Sequence, residues 1–292
     1  MSGDVVDPSN GFADGYLSSF RRGRYVFDVL DEGPRDGQPV VLLHGFPQRA
    51  ASWSGVVPHL HAAGLRTLAP DQRGYSVGAR PRGRAAYRSR ELVDDVCALL
   101  DLVGGSAHLV GHDWGAAVGW ALAAEHAERV LTWTAVSVGH PAAFLRSLRT
   151  PEQLRRSWYM GLFQLPLLPE RLLRSEPFIR RFLGRSGMTE EMIEAYRREI
   201  VADGALTYAL NWYRAIPLSA RDVVAAVPVP TTFVWSDEDV AIGRGAASMT
   251  RQHVTGEYAF VELSGASHWI PEERPAELAE AILSRVRSVP AR

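Results

Sequence analysis

The chain is 292 residues long, 46% hydrophobic and 22% charged, which fits a globular protein with one large α/β domain or a domain carrying an insertion. Its formal net charge is -1, its basic residues are all arginine and no block of like charge occurs, so neither nucleic acid nor an acidic membrane surface is expected as a partner. A single cysteine, Cys97, excludes an intrachain disulfide and sits in the apolar helical stretch Leu92–Val103, where packing is its expected role. Met1–Tyr16 is acidic and polar without an apolar core, so no signal peptide is expected there. Every apolar run falls far short of the ~20 residues a spanning helix needs. The expectation is a cytoplasmic protein with no membrane partner.

Taken in chain order, Arg24–Leu30 alternates like a strand, and Glu32–Gly37 is a turn. Pro39–Leu43 is a short continuous apolar run, the mark of a strand buried on both faces. Arg66–Pro70 reads as a strand, Glu91–Val103 as a helix, Ala107–Gly111 as a strand entering a tight turn, Ala116–His126 as an Ala-rich helix and Val130–Val138 as a strand. Such alternation predicts a mostly parallel sheet covered on both faces. From Pro141 to Val227 no buried strand is visible, only amphipathic helical segments such as Thr189–Val201. Strands return at Pro230–Trp235 and Tyr258–Leu263, and a last helix spans Ala276–Val286. The division expected is a core of residues 1–140 and 228–292, with residues 141–227 as a helical lid over the carboxyl edge of the sheet, where ligands bind in open α/β folds.

The motif at the centre is Gly111-His112-Asp113-Trp114-Gly115, at a strand-to-helix junction. Its glycines permit the sharp turn of a nucleophile elbow, the G-x-S-x-G of the α/β-hydrolase fold, with Asp where Ser usually stands. A carboxylate is already ionised at neutral pH, needs no base to attack, and displaces at saturated carbon to leave an ester. The plainer role for Asp113 is to cap the following helix. Upstream, His44-Gly45-Phe46-Pro47 follows a buried strand, which makes the backbone amides of Phe46 and Trp114 the candidate oxyanion donors. Downstream, His268 in Ser267-His268-Trp269 has the place of the base in this fold's chain order. Asp237, Glu238 and Asp239 follow the strand ending at Trp235. Spacing favours Asp239 as the acid that orients His268, with Asp237 in reserve.

With these residues in that order the chain resembles the epoxide hydrolases of the α/β-hydrolase fold, from Tyr25 to Leu283. Besides H-G-F-P with Trp53 a few residues on, G-H-D-W-G and S-H-W, it carries Asp71-Gln72-Arg73-Gly74-Tyr75, similar to the family's D-x-R-G-Y turn, whose role is structural. Two segments within residues 141–227 sharpen the resemblance. A Y-x-x-x-F-Q-x-P pattern is matched by Tyr159, Phe163, Gln164 and Pro166, and N-W-Y-R by Asn211-Trp212-Tyr213-Arg214. The family uses two such tyrosines to hold the epoxide oxygen, and ring opening, which puts charge on an alkoxide, needs donors of that kind.

The resemblance implies attack by Asp113, hydrolysis of the ester by water that neutral His268 activates, and help from Tyr159 and Tyr213. It implies apolar walls from Phe46, Trp53, Trp114 and Trp269, a small apolar epoxide and water as partners, and no cofactor or metal. A haloalkane dehalogenase also uses Asp on this fold, but halide leaves without a proton, so two tyrosine acids would be idle. A fluoroacetate-type enzyme carries Arg where Trp114 stands, and an esterase needs Ser at the elbow. From another class, a ligand-binding receptor that kept the pocket is set against the intact Asp113, His268 and acid set.

Overall fold

The computed structural model describes residues 10–219 and 222–290. The first nine residues of the acidic N-terminal stretch, on which most of the signal-peptide reading rests, lie outside them. The strands are β1 (Gly11–Ala13), β2 (Tyr16–Arg22), β3 (Tyr25–Glu32), β4 (Pro39–Leu43), β5 (Arg66–Pro70), β6 (Ala107–His112), β7 (Val130–Val136), β8 (Thr231–Ser236) and β9 (Tyr258–Leu263). They form one sheet in the order β1-β2-β3-β5-β4-β6-β7-β8-β9. β1, β2, β3 and β5 pair antiparallel, and from β5 onward the pairing is parallel.

The continuous apolar run of β4 has the burial expected of it. Val41 and Leu43 enter the core on one sheet face, under the helices Ser89–Asp101 and Trp114–Glu125. Val40 and Leu42 enter the core on the other face, with Leu60, Leu278 and Ile282 from the helices Val57–Ala62 and Pro275–Val286. Each such side chain contributes roughly 1.5–3 kcal/mol by leaving water.

Two strands were not expected. β1 and β2 extend the sheet beyond β3, and β2 buries Leu17 and Phe20, three residues apart, in the same core as Val41 and Leu43. That spacing leaves no alternation of period two for a sequence reading to detect.

β4 pairs with β5 on one side and β6 on the other, so the chain reverses direction of winding between β4 and β6. The register Leu43↔Gly111 places the loops leaving these two strands side by side, at the switch point where open α/β sheets bind ligands. Close approach depends on glycine here. A Cβ at Gly115 would lie 2.1 Å from the Leu43 carbonyl oxygen, and one at Gly111 2.4 Å from that of Gly115.

Between β7 and β8 the described chain is helical, from Pro141–Ser147 through Pro151–Arg156, Trp158–Leu162, Leu168–Leu172, Glu176–Gly184 and Glu190–Tyr196 to Leu206–Ala215. Thr150 and Thr189 accept from the backbone N–H three residues on, starting two of these helices. Asp203 receives both Arg49 and Arg80, and the Trp212 indole donates to the Arg73 carbonyl at 2.8 Å, which ties the insertion to the segments after β4 and β5. No helix among the described residues is long and apolar enough to cross a membrane.

Gly115→Ala forces a methyl into the β4 backbone and should destabilise the fold by about 1–3 kcal/mol, as overpacking does. Urea unfolding checks this, and an unchanged midpoint would show that the helix does not depend on this close contact.

Candidate active site

Asp113 sits directly after β6 at φ 52° and ψ -116°, a conformation rarely adopted by residues with side chains. Its side chain makes no capping bond to the following helix. One carboxylate oxygen instead accepts the Phe46 N–H at 2.8 Å. Gly45 makes that approach possible, since a Cβ there would lie 2.4 Å from Asp113 Cβ. The Phe46 loop is held by the turn after β5: Gln72 donates its backbone N–H to His44 Nε2 at 3.1 Å and its side-chain amide to the His44 carbonyl at 2.6 Å. Burial pushes His44 down, so it stays neutral and accepts that bond. The second amide, that of Trp114, opens the helix Trp114–Glu125, where an N–H has no intrahelical acceptor.

His268 lies opposite. Its Nε2 is 3.5 Å from Asp113 Oδ2, a charge contact more than a hydrogen bond, and its Nδ1 is 2.8 Å from Asp239 Oδ2. Asp239 is buried, and its other oxygen accepts the backbone N–H groups of Ala241 and Ile242 at 2.7 and 2.9 Å. Asp237 lies elsewhere, exposed and bonded to the Ser264 hydroxyl and the Gly265 N–H, where it pins the loop that carries His268. The His268 carbonyl accepts from His112 Nε2 at 2.9 Å and from Ser137 Oγ at 2.8 Å. Burial holds His112 down at about 4, so it remains a neutral donor.

Burial opposes the charged form of His268, but the carboxylates of Asp239 and Asp113 outweigh it and raise the imidazole to about 10. Burial would likewise raise Asp113, and its close contact with the charged His268, together with the Phe46 N–H, holds it below its ordinary value. The resting site is therefore an imidazolium between two carboxylates. Free histidine titrates near 6.5, so this arrangement stabilises the fold fully below that pH and loses its contribution as pH rises through about 10.

Asp113 and His268 open on a cavity of about 690 Å³ that Tyr159, Tyr213, Phe46 and Trp269 also line. The two tyrosine rings are 6.0 Å apart. The neighbours of each in sequence fix this. The Gln164 amide donates to the Tyr213 carbonyl at 2.7 Å, and Arg214 donates to the Phe163 and Leu165 carbonyls while pairing with Glu170 at 2.8 Å. Burial, then the negative charge of Asp113, raises both phenols well above their ordinary value, so they stay protonated donors.

The α/β hydrolase fold family model matches residues 38–275 of the chain. An AB hydrolase superfamily protein of Bacillus subtilis is 36% identical over 271 residues, 89% of this chain and 94% of that one. Epoxide hydrolase A of Mycobacterium tuberculosis is 32% identical over 300 residues, 87% of this chain and 92% of that one. The crystal structure of epoxide hydrolase A from Mycobacterium thermoresistibile superposes with a TM-score of 0.81 at 29% identity, covering 94% of this chain and 98% of that one. The chain belongs to the epoxide hydrolase family of the α/β-hydrolase fold.

In this family member two expected wall residues take other places. Trp53 is fully buried in the core on the far face of the sheet, with Val40, Leu42 and Ile270, and does not reach the cavity. It sits only seven residues after Phe46, but the chain has by then turned down the side of the sheet. Trp114 is not among the residues that line the cavity; it packs edge-on against Tyr213 at 5.0 Å and Trp212 at 5.6 Å, and its side chain hydrogen-bonds to the Tyr213 phenol. The apolar wall comes instead from Trp158, Phe163, Phe178 and Phe182. In the sequence these aromatics look like any helix core, and only the cavity distinguishes them. Glu272 lies one turn past His268 and carries no motif that marks it in the sequence. It is bonded by the Gln48 amide, and burial raises it to about 8.

Asp239→Asn and Asp113→Asn each remove one carboxylate from His268, so both should lower its pKa from about 10, the first by more because the Asp239 charge is the larger support. Nitrogen-detected NMR titration reads this directly. An unmoved imidazole in Asp239→Asn would contradict the assignment of the pair.

Proposed function

We propose that this protein hydrolyses epoxides to vicinal diols through an ester on Asp113, with the helical insertion of residues 141–227 acting as its lid. The observation that carries the reading is that two phenols from the insertion line the same cavity as an unprotonated elbow carboxylate and a buried histidine. Epoxide hydrolases among the relatives support the substrate class.

In the first step an Asp113 carboxylate oxygen forms a bond to an epoxide carbon as the ring C–O bond breaks. Tyr159 and Tyr213 donate to the oxygen that leaves the carbon, and a proton reaches it to give the hydroxyl of the ester intermediate. Esterification removes the Asp113 charge, which had been supporting both the His268 charge and the high phenol values. The phenols become better acids as the alkoxide forms, and His268 gives up the proton that restores them. His268 is then neutral when the second step needs a base.

In that step His268 takes a proton from water as the hydroxide oxygen bonds to the carboxyl carbon of Asp113. The oxyanion faces the Phe46 and Trp114 N–H groups. Collapse breaks the ester bond and releases the diol, and Asp113 and His268 return to their charged forms. Asp239 touches neither substrate nor water and keeps the imidazole oriented.

With His268→Gln the first step should proceed and the second stall, so intact-protein mass should rise by the full mass of a simple epoxide such as styrene oxide. In that background Tyr159→Phe and Tyr213→Phe should each slow adduct formation by about 10²–10³-fold, the usual loss of one oxyanion-type donor. No adduct in His268→Gln, or adduct formation indifferent to both tyrosines, would overturn the mechanism.

A further inference from the structure

The cavity does not end at the aromatic wall. Four arginines also line it, Arg155 and Arg156 from the helix Pro151–Arg156, Arg181 from the helix Glu176–Gly184, and Arg185 at that helix's end. Only two carboxylates line it with them, Glu152 and Asp113. Glu152 is taken by Arg156 at 3.2 Å and Asp113 by His268. Arg156 also donates to the Asp239 carbonyl at 2.6 Å. On the neighbouring helix, Glu176 is engaged by Arg180 and Arg197. Arg155, Arg181 and Arg185 are exposed and have no carboxylate in ion-pair reach among the described residues. In a chain whose charges otherwise balance, 32 basic against 33 acidic, three uncompensated positive charges border one cavity.

We propose that this rim is an anion subsite and that the substrate is an amphiphile, an epoxide joined through an apolar segment to a carboxylate. The proposal rests on the epoxide reading for its reactive end and replaces the small apolar substrate expected from the sequence. A volume of about 690 Å³ is the size that holds a drug-sized ligand, more than a small terminal epoxide fills. Trp158, Phe178 and Phe182 line it together with the rim arginines and receive the apolar segment. Arginine matches a carboxylate in geometry as well as charge. Asp113 and Asp239 exceed the one positive charge of His268 by a single negative charge, against three positive charges on the rim. Solvent-facing guanidinium groups contribute modestly one by one, so the selectivity comes from three acting on one anion.

Binding is tested without relying on turnover, using phenylbutyrate and the uncharged phenylbutyramide as probes in calorimetry. The wild-type protein should bind the acid about tenfold more tightly than the amide, with the margin shrinking as salt rises. The combined Arg155→Gln, Arg181→Gln and Arg185→Gln variant should lose that preference, and the corresponding Lys variant, which keeps the charge, should retain most of it. Equal binding of acid and amide, or a preference that survives the Gln variant, would overturn the subsite. Parallel assays compare the epoxide of undecylenic acid with its methyl ester, where kcat/KM should favour the acid by a similar factor. If the acid probe binds through the arginines but neither epoxide opens, the subsite stands and the epoxide reading falls. If both epoxides open alike and the two probes bind alike, the epoxide reading stands and the subsite falls.

Discussion

A residue with a side chain seldom rests at φ 52°, and Asp113 is kept there by contacts that leave no room for anything larger than glycine at Gly45, Gly111 and Gly115. That constraint organises the rest of the molecule. The parallel register of β4 and β6 brings the Phe46 amide to the carboxylate, the Gln72 turn keeps the Phe46 loop in place, and the helix starting at Trp114 offers a second N–H with no acceptor inside the helix. A relaxed turn would let the carboxylate fold back onto the helix as an ordinary cap. Held as it is, the side chain projects into the cavity with only one of its oxygens bonded to the backbone.

Electrostatics then couple the groups around it. His268, Tyr159 and Tyr213 all feel the charge of Asp113, so a change of charge at that one carboxylate shifts the proton affinity of all three in the directions the proposed steps require. In the proposed mechanism, chemistry at Asp113 itself sets the state of the base.

Much of this was readable from residues alone, for identifiable reasons. β4 is buried on both faces and so appears as an unbroken apolar run, and the strand-to-helix junction at Gly111–Gly115 is marked by its glycines. Tyr159 and Tyr213 were singled out only through the family resemblance, and the neighbours that make up those patterns have structural work of their own, Gln164 bridging to the Tyr213 carbonyl and Arg214 pairing with Glu170. What stayed hidden depends on facing. Trp53 and Phe46 are close in sequence but lie on opposite sides of the sheet. β2 has no period-two pattern, and the rim arginines resemble the many other arginines of the helical insertion until the cavity shows which of them border it. Three acids after β8 offered themselves as partner to His268, and the choice among them is made by backbone geometry, which turns Asp239 inward and leaves Asp237 on the surface.

The central claim is that Asp113 itself becomes bonded to the substrate, and the origin of one oxygen atom tests it most directly. With the enzyme in excess over styrene oxide in heavy-oxygen water, the first turnover should yield a diol without label, and the label should appear in the peptide containing Asp113. In the covalent route the oxygen delivered to the substrate is a carboxylate oxygen, and water only replaces it. A labelled first-turnover diol with an unlabelled Asp113 peptide would mean that water attacks the epoxide directly, and would remove Asp113 as the nucleophile.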